Sequence, residues 1–382
     1  MNYKRIETQL IHAGEPRPRI AGAVEMPIFQ SAMFEYAGET SYHDLKYIRL
    51  NNTPNHLALH AKLAALEGAE AALVTASGMA AIATTLLTVL SAGDHVLAQN
   101  CLYGGTHALL TNDFARLGLA VEFVDGDDPD SWRAALRPST RAIYVEAMTN
   151  PLLEVADLAA VAAFARRHGL VSIIDNTFAT PVNFRPLEAG FDLAIHSATK
   201  YLNGHADIVG GAVAGSAQQI ERITHRLNHL GGSMDPHAVF LLNRGLKTLA
   251  LRVRHQNQSA LRIAQFLQSH PAVARVNYPG LETHPRHERA RKLFAGCGGV
   301  LSFELRGDAQ RADDFMRSTT IPIIAPSLGG VHTLLTRPAT TSHSGMSPEE
   351  RLRLGIRDNL IRMSVGIEAT EDLLEDFGQA LG

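Results

Sequence analysis

From residue 55 to about 230, short β-branched and apolar runs alternate with segments whose apolar positions recur every three or four residues, the pattern of βαβ units. Leu59, Leu63 and Leu66 fall at i, i+4 and i+7 of a helix that stops at Gly68. Leu158, Val161 and Ala165 repeat that rhythm before Gly169. Between the helices, strands are predicted at AALVTAS (71–77), DHVLAQN (94–100), AVEFVD (120–125), RAIYVEA (141–147), LVSIID (170–175), DLAIHS (192–197) and DIVGGAVAG (207–215). Their nearly unbroken apolar character predicts burial on both faces, as in a parallel sheet covered by helices. The fold class is therefore α/β, with a large domain over 55–245 built on a mainly parallel seven-stranded sheet.

Residues 1–54 show neither period. Pro16, Pro18, Pro27 and several glycines predict an arm without regular elements that packs on another surface and serves oligomerisation. After Gly245, LKTLALRVRHQNQSALRIAQFLQSH reads as a long amphipathic helix. Strand-like AVARVNY (272–278), GGVLSFEL (298–305) and LIRMSVG (360–366), with helical AQRADDFMRS, complete a smaller C-terminal α+β domain over 246–382. No internal repeat and no low-complexity stretch interrupts this order.

With 382 residues and 46% hydrophobic positions, the chain can bury a large core. Thirty-five Lys+Arg against 38 Asp+Glu give a net charge of −3, and no basic run occurs. The field that holds nucleic acid or an anionic membrane is missing, which leaves a small molecule or another subunit as partner. Cys101 and Cys297 lie far apart without CxxC spacing, which fits a reducing, cytoplasmic setting. Charges in MNYKRIETQL interrupt any signal-peptide core, and no stretch approaches the roughly 20 apolar residues of a membrane helix. His284, His287 and Glu288 in THPRHERARK superficially suggest a metal site. The spacing matches no zincin and Pro285 breaks helical register, so a solvated loop without metal is expected.

The stretch HSATKYLNGHADIVGG (196–211) places Lys200 just after a buried strand. The carboxyl ends of parallel strands are where open α/β sheets bind ligands, and a desolvated amine there can form a Schiff base; a surface lysine at a strand end is the plainer alternative. Strand LVSIID ends at Asp175, which lands at the same sheet edge. A lysine for an imine and an acid for a pyridinium nitrogen are the two protein groups pyridoxal phosphate requires, although Asp175 alone also fits a helix cap. Ser77 and Gly78 open a helix after AALVTAS, so backbone N–H groups there could meet a phosphate. No GxxxxGK[ST] or GxGxxG turn occurs, which speaks against a P-loop or a nicotinamide dehydrogenase. Tyr103, at the end of DHVLAQN, could stack on a cofactor ring or sit in the core. Together the four features converge on pyridoxal phosphate.

The chain also resembles the Cys/Met-metabolism family of pyridoxal-phosphate enzymes, the group of cystathionine γ-synthase, cystathionine lyases and methionine γ-lyase. The resemblance rests on ETQLIHAG, GAVEMPIFQSAMFEY (22–36), YIRLNNTPN (47–55), ASGMAAI (76–82), YGGT (103–106), IDNTFATP (174–181), the lysine block, SLGGVHTL (327–334) and IRMSVGIE (361–368). It implies a fold type I transferase-like architecture and a homotetramer of tight dimers. It makes Lys200 both the covalent aldimine lysine and a proton shuttle, with Asp175 on the pyridine nitrogen and Tyr103 on the ring. Gly78, Met79, Ser197 and Thr199 are implied at the phosphate. Tyr47 and Arg49 match a YxR element that reaches a neighbouring subunit's phosphate. Arg362 matches the arginine of the substrate carboxylate, a role suited to its planar fork, and Ser327 a position beside it. Judged from its residue type alone, Arg362 reads first as a structural salt bridge.

Departures bear on substrate choice. Pro326 stands where cystathionine γ-lyases and γ-synthases carry glutamate, His332 replaces the glutamate of SLGGxES, and Gly105 stands where bacterial methionine γ-lyases have cysteine. After Arg49 the chain reads LNNTPN where many members read SGNPT. The expected activity is γ-elimination or γ-replacement on sulfur amino acids or O-acylhomoserines. β-Elimination on cystathionine or cysteine conjugates, methionine γ-lysis and a catalytically silent cofactor-binding regulator are the alternatives.

Overall fold

The computed structural model describes residues 3–382. Seven strands form the main sheet: β1 (Ala71–Thr75), β2 (His95–Gln99), β3 (Ala120–Val124), β4 (Thr140–Glu146), β5 (Val171–Asp175), β6 (Leu193–His196) and β7 (Gly211–Gly215), in the order β1-β7-β6-β5-β4-β2-β3. Six of the seven fall inside the segments predicted from the sequence, and β4 begins one residue earlier, at Thr140. Every pairing is parallel except those of β7, which runs antiparallel to both β1 and β6. A parallel return needs a crossover element, usually a helix. Residues 197–210 instead form turns and loop, so the chain comes straight back beside β6 and leaves Lys200 in the connection.

Helices cover both faces, as the apolar strands require. Helices Pro54–Glu67 and Leu158–His168 pack on one side through Leu59, Leu63, Val161 and Ala165. Helices Gly78–Val89 and Ala217–Leu230 cover the other through Ala81, Ile82, Ile220 and Leu227. Local chemistry sets their ends. Ser77 Oγ accepts from Ala80 N at 3.0 Å and Asp157 Oδ1 from Ala160 N at 3.0 Å, each relieving an orphan donor of a first turn. Gly169 closes its helix at φ +64°, the left-handed conformation only glycine adopts without strain.

A separate five-stranded sheet follows: β8 (Val273–Asn277), β9 (Val300–Leu305), β10 (Ile323–Ile324), β11 (Leu334–Thr336) and β12 (Leu360–Ser364), ordered β10-β11-β12-β9-β8. Helices Leu249–Ser269, Ala309–Ser318 and Thr370–Leu381 pack on it through Ile263, Leu267, Phe315 and Phe377. β10 and β11 escaped the sequence reading because two or three residues cannot display a period of two. The long amphipathic segment begins as a helix at Leu249, and a distinct helix, Pro236–Leu246, capped by Asp235, precedes it.

The arm corrects one expectation. It contains a helix, Ile6–His12, which buries Leu10, and this helix packs on the chain's own body. Two turns are too short to show a helical period. Lys62, fully buried in helix Pro54–Glu67, donates to Leu10 O at 2.9 Å and meets Glu15 Oε1 at 3.1 Å. Burial pushes the Glu15 carboxyl up, but the Lys62 charge and hydrogen bond outweigh it and hold it below the usual carboxylate range. Farther along, Val24, Met33 and Tyr36 leave large apolar side chains exposed.

THPRHERARK forms a turn leading into helix His287–Leu293, where His284 Nδ1 accepts from Arg286 N and His287 Nδ1 faces Pro279 O. Among the described residues no group of three or more His, Cys, Asp or Glu is placed to hold a metal ion, and no helix is long and apolar enough to cross a membrane.

Candidate active site

A cavity of about 650 Å³ opens where β2, β4, β5 and β6 end, closed from the second sheet by residues 326–328 and Arg362. This is the sheet edge where doubly wound folds bind ligands. Lys200 enters from the β6–β7 connection. The turn is pinned by Lys200 N to Ser197 O at 3.1 Å, Gly204 N to Lys200 O at 2.8 Å, and Gly210 N to Thr199 Oγ1 at 3.0 Å. The Lys200 ammonium reaches Ser327 Oγ at 2.9 Å. Burial, with a smaller contribution from the positive charge of Arg362, lowers its pKa, which favours the neutral amine a nucleophile needs.

Ser327 sits at φ +99°, a conformation that costs a non-glycine residue about 1–3 kcal/mol. Two contacts hold it: the bond to Lys200, and Arg362 Nη2 donating to its carbonyl at 2.8 Å. Arg362 comes from β12, is 5% exposed, and donates from Nη1 to Asn150 Oδ1 at 3.0 Å. Among the described residues no carboxylate pairs with it, so the structural salt bridge is not what it makes. Burial lowers its pKa to about 10, and its Nε is buried without an acceptor. A buried cationic fork without an anion has the chemistry to accept a carboxylate.

Asp175, at the end of β5, also lines the cavity and accepts from Thr177 N at 2.9 Å. Burial raises its carboxyl, against the pull of Thr177, His196 and Tyr144. Tyr103 stands 47% exposed before a short helix, Gly104–Ala108, with its N–H on Glu146 Oε1 at 2.6 Å. The Gly105 departure has a local cause: a Cβ there would lie 2.7 Å from Tyr103 Cε1 and 3.1 Å from Met79 Sδ. Gly78 is equally constrained, since a Cβ would meet Ser197 Cβ at 2.9 Å. Met79, Ser197 and Thr199 line the same end of the cavity, beside the first turn of helix Gly78–Val89.

The structure thus gathers Lys200, Asp175, Tyr103, Arg362 and Ser327 with the residues around Gly78 into one cavity. Pro326 joins the lining, and His332 does not. Tyr47 and Arg49 lie elsewhere on the chain. Arg49 Nη1 donates to Asn228 O at 2.8 Å, its Nη2 donates to the Tyr42 hydroxyl, and its Cζ lies 5.4 Å from the Tyr47 ring centroid. Sequence reasoning missed Glu146 and Asn150. Glu146 ends an apolar strand as Asp175 does, and that shared signal could have found it.

The donor set fits pyridoxal phosphate on the structure's own terms. A half-buried amine with lowered pKa faces the cavity, and a half-buried carboxyl stands there with no cation against it among the described residues. A small-residue cradle at a helix N-terminus, closed by any side chain at position 78, completes the set.

The sequence pattern described as Cys/Met metabolism PLP-dependent enzyme matches residues 7–382. The chain belongs to this family. The family implies pyridoxal phosphate as cofactor, and the protein is a PLP-dependent enzyme of the trans-sulfuration group, as its motifs led us to expect. It is 43% identical over 376 residues to a cystathionine gamma-lyase of Bacillus subtilis (strain 168), covering 98% of both chains. To an L-methionine gamma-lyase of Pseudomonas putida it is 42% identical over 388 residues, covering 98% of this chain and 96% of the relative. A crystal structure of cystathionine gamma-lyase from Lactobacillus plantarum complexed with L-serine superposes with a TM-score of 0.93 at 39% identity, covering 99% of this chain and 98% of the other. The architecture is accordingly fold type I.

Proposed function

We propose that the protein cleaves or replaces the γ-substituent of sulfur amino acids or O-acylhomoserines, with β-elimination on cystathionine or cysteine conjugates as the second reading. The observation that carries this is the juxtaposition of Lys200 with Ser327 and Arg362. An amine that can move protons stands beside a buried guanidinium that can hold the carboxylate of an amino acid. Bound pyridoxal phosphate supplies an electron sink that lowers the cost of negative charge at Cα.

In this reading Lys200 carries the cofactor, Asp175 faces its ring nitrogen, and Tyr103 lies on its ring. Gly78, Met79, Ser197 and Thr199 hold the phosphate. Arg362 takes the substrate carboxylate with Ser327 beside it, which orients Cα toward Lys200. The Lys200 amine removes the α-proton. Breaking the bond from Cβ to its substituent then completes β-elimination, whereas γ-loss requires a second proton to be taken from Cβ before the bond from Cγ breaks. The leaving group carries away the electron pair and takes up a proton, so the same base serves β- and γ-chemistry. Apolar side chains of Met79, Ile82, Met148, Phe178 and Val209 exclude water from the rest of the cavity, where the side chain of the substrate would lie. The segmentation follows: an arm over 1–54, a cofactor-binding part over 55–245 and a smaller part over 246–382. Tyr47 and Arg49, displaced from their own cavity, are placed to serve that of a second copy in a homotetramer built from dimers. Exposed Val24, Met33 and Tyr36 give the arm an apolar face for that contact. Two cysteines without a disulfide suit the cytoplasm.

Incubating the purified protein and pyridoxal phosphate with L-cystathionine, followed by mass spectrometry of the keto acid, tests the assignment. 2-Oxobutyrate is the expected product. Pyruvate would replace γ- by β-elimination, and no turnover of cystathionine, methionine, cysteine conjugates or any O-acylhomoserine would contradict both.

A further inference from the structure

Glu146 has no part in the chemistry described so far, yet it lies in the cavity wall. β4 and β5 are neighbours in parallel register, and Glu146 is the cross-strand partner of Asp175. Both side chains line the cavity, so two carboxyl groups end adjacent strands on one face. One oxygen of Glu146 accepts from Tyr103 N at 2.6 Å, and its own N–H donates to Gln99 Oε1 at 3.0 Å. Among the described residues no cation pairs with either acid. Tyr144 of the same strand, Cys101 and Tyr103 of the β2 connection, and Asp175 are the titratable groups nearest Glu146. The cations of the cavity, Lys200 and Arg362, are engaged with Ser327, and Arg362 also with Asn150.

We propose that Glu146 is a positioning residue: it fixes the backbone at Tyr103 and, as the protonated member of a carboxyl pair with Asp175, leaves the pair's single negative charge on Asp175. Two adjacent carboxylates, one buried and one half-buried, cannot both ionise cheaply, so one keeps its proton. The surroundings decide which. Asp175 is favoured as the charged member by the Thr177 N–H and by the field of His196. Among the described residues Glu146 receives only the Tyr103 N–H, while burial and the Asp175 charge push its carboxyl well above the ordinary range. A neutral Glu146 still accepts the Tyr103 hydrogen bond. It also leaves Asp175 as the one anion for a protonated pyridine nitrogen, a consequence that rests on the proposed cofactor site.

Glu146→Gln and Glu146→Ala separate the two contributions. The glutamine keeps the acceptor and mimics the neutral acid, so the full-length protein stripped of cofactor should rebind pyridoxal phosphate within about threefold of the parent. The alanine loses the anchor of Tyr103 and should weaken binding about tenfold, the worth of one such hydrogen bond. Glu146→Gln weakening binding as strongly as Glu146→Ala would overturn the proposal, because it would mean that the charge matters. An infrared difference spectrum of the stripped parent minus Glu146→Gln at pH 7 is read independently of cofactor binding. It should show a neutral carboxyl band, and an ionised carboxylate band in its place would also overturn the proposal.

Discussion

Replacing Lys200 by alanine is expected to lower turnover at least ~10⁴-fold, from loss of a positioned base and of the covalent attachment together. The visible absorption band of bound pyridoxal phosphate should shift as the linkage to the chain disappears. The fold should remain intact, because the Lys200 side chain makes one hydrogen bond, to Ser327 Oγ, and its turn is held by backbone bonds and by Thr199. Arg252 supports the same turn by donating to Tyr201 O at 2.8 Å and Gly245 O at 2.9 Å. Circular dichroism of the variant checks the fold, and a stopped assay for keto acid checks activity. Turnover within tenfold of the parent would remove Lys200 from the chemistry.

The second large effect is expected at Arg362. Replacement by leucine removes a planar fork worth about 1.5–3 kcal/mol per charged hydrogen bond, so two such bonds to a carboxylate predict a rise in KM of about 10²–10⁴-fold. Cofactor binding should change much less, since Arg362 belongs to β12 of the second sheet, whereas Asp175 ends β5 and Gly78 opens a helix of the main sheet's layer. A titration with pyridoxal phosphate beside a KM measurement separates the two roles. Equal losses in both would assign Arg362 to holding the cavity together through Asn150 and Ser327 instead of to the substrate.

Much of this site is legible in the chain because strand ends in an α/β sheet are one-dimensional landmarks. A run such as LVSIID announces its own carboxyl end, and whatever polar residue stands there projects to the ligand edge. Asp175, Tyr103, Gly78 and Lys200 were found by that reasoning, and the resemblance added Arg362 and Ser327, whose place depends on how the second sheet docks. Glu146 was missed although RAIYVEA carries the same signal, since an acid there has no obvious cofactor atom to serve. Asn150 was missed because its place in the cavity wall becomes visible only once Arg362, 212 residues away in sequence, is brought against it. The antiparallel turn of β7 was hidden by apolar composition, which reports burial and not direction. The helix at Ile6–His12 was hidden by its length, and its burial depends on Lys62, a residue that reads as a surface charge until Glu15 is brought against it.

The most direct test of the account is borohydride reduction of the purified protein with pyridoxal phosphate, followed by peptide mass spectrometry. The mass of the reduced cofactor should appear on the peptide containing Lys200 and on no other. Its appearance on a different lysine, or on none after reconstitution, would contradict the assignment of the cavity at the ends of β4, β5 and β6 as the active site.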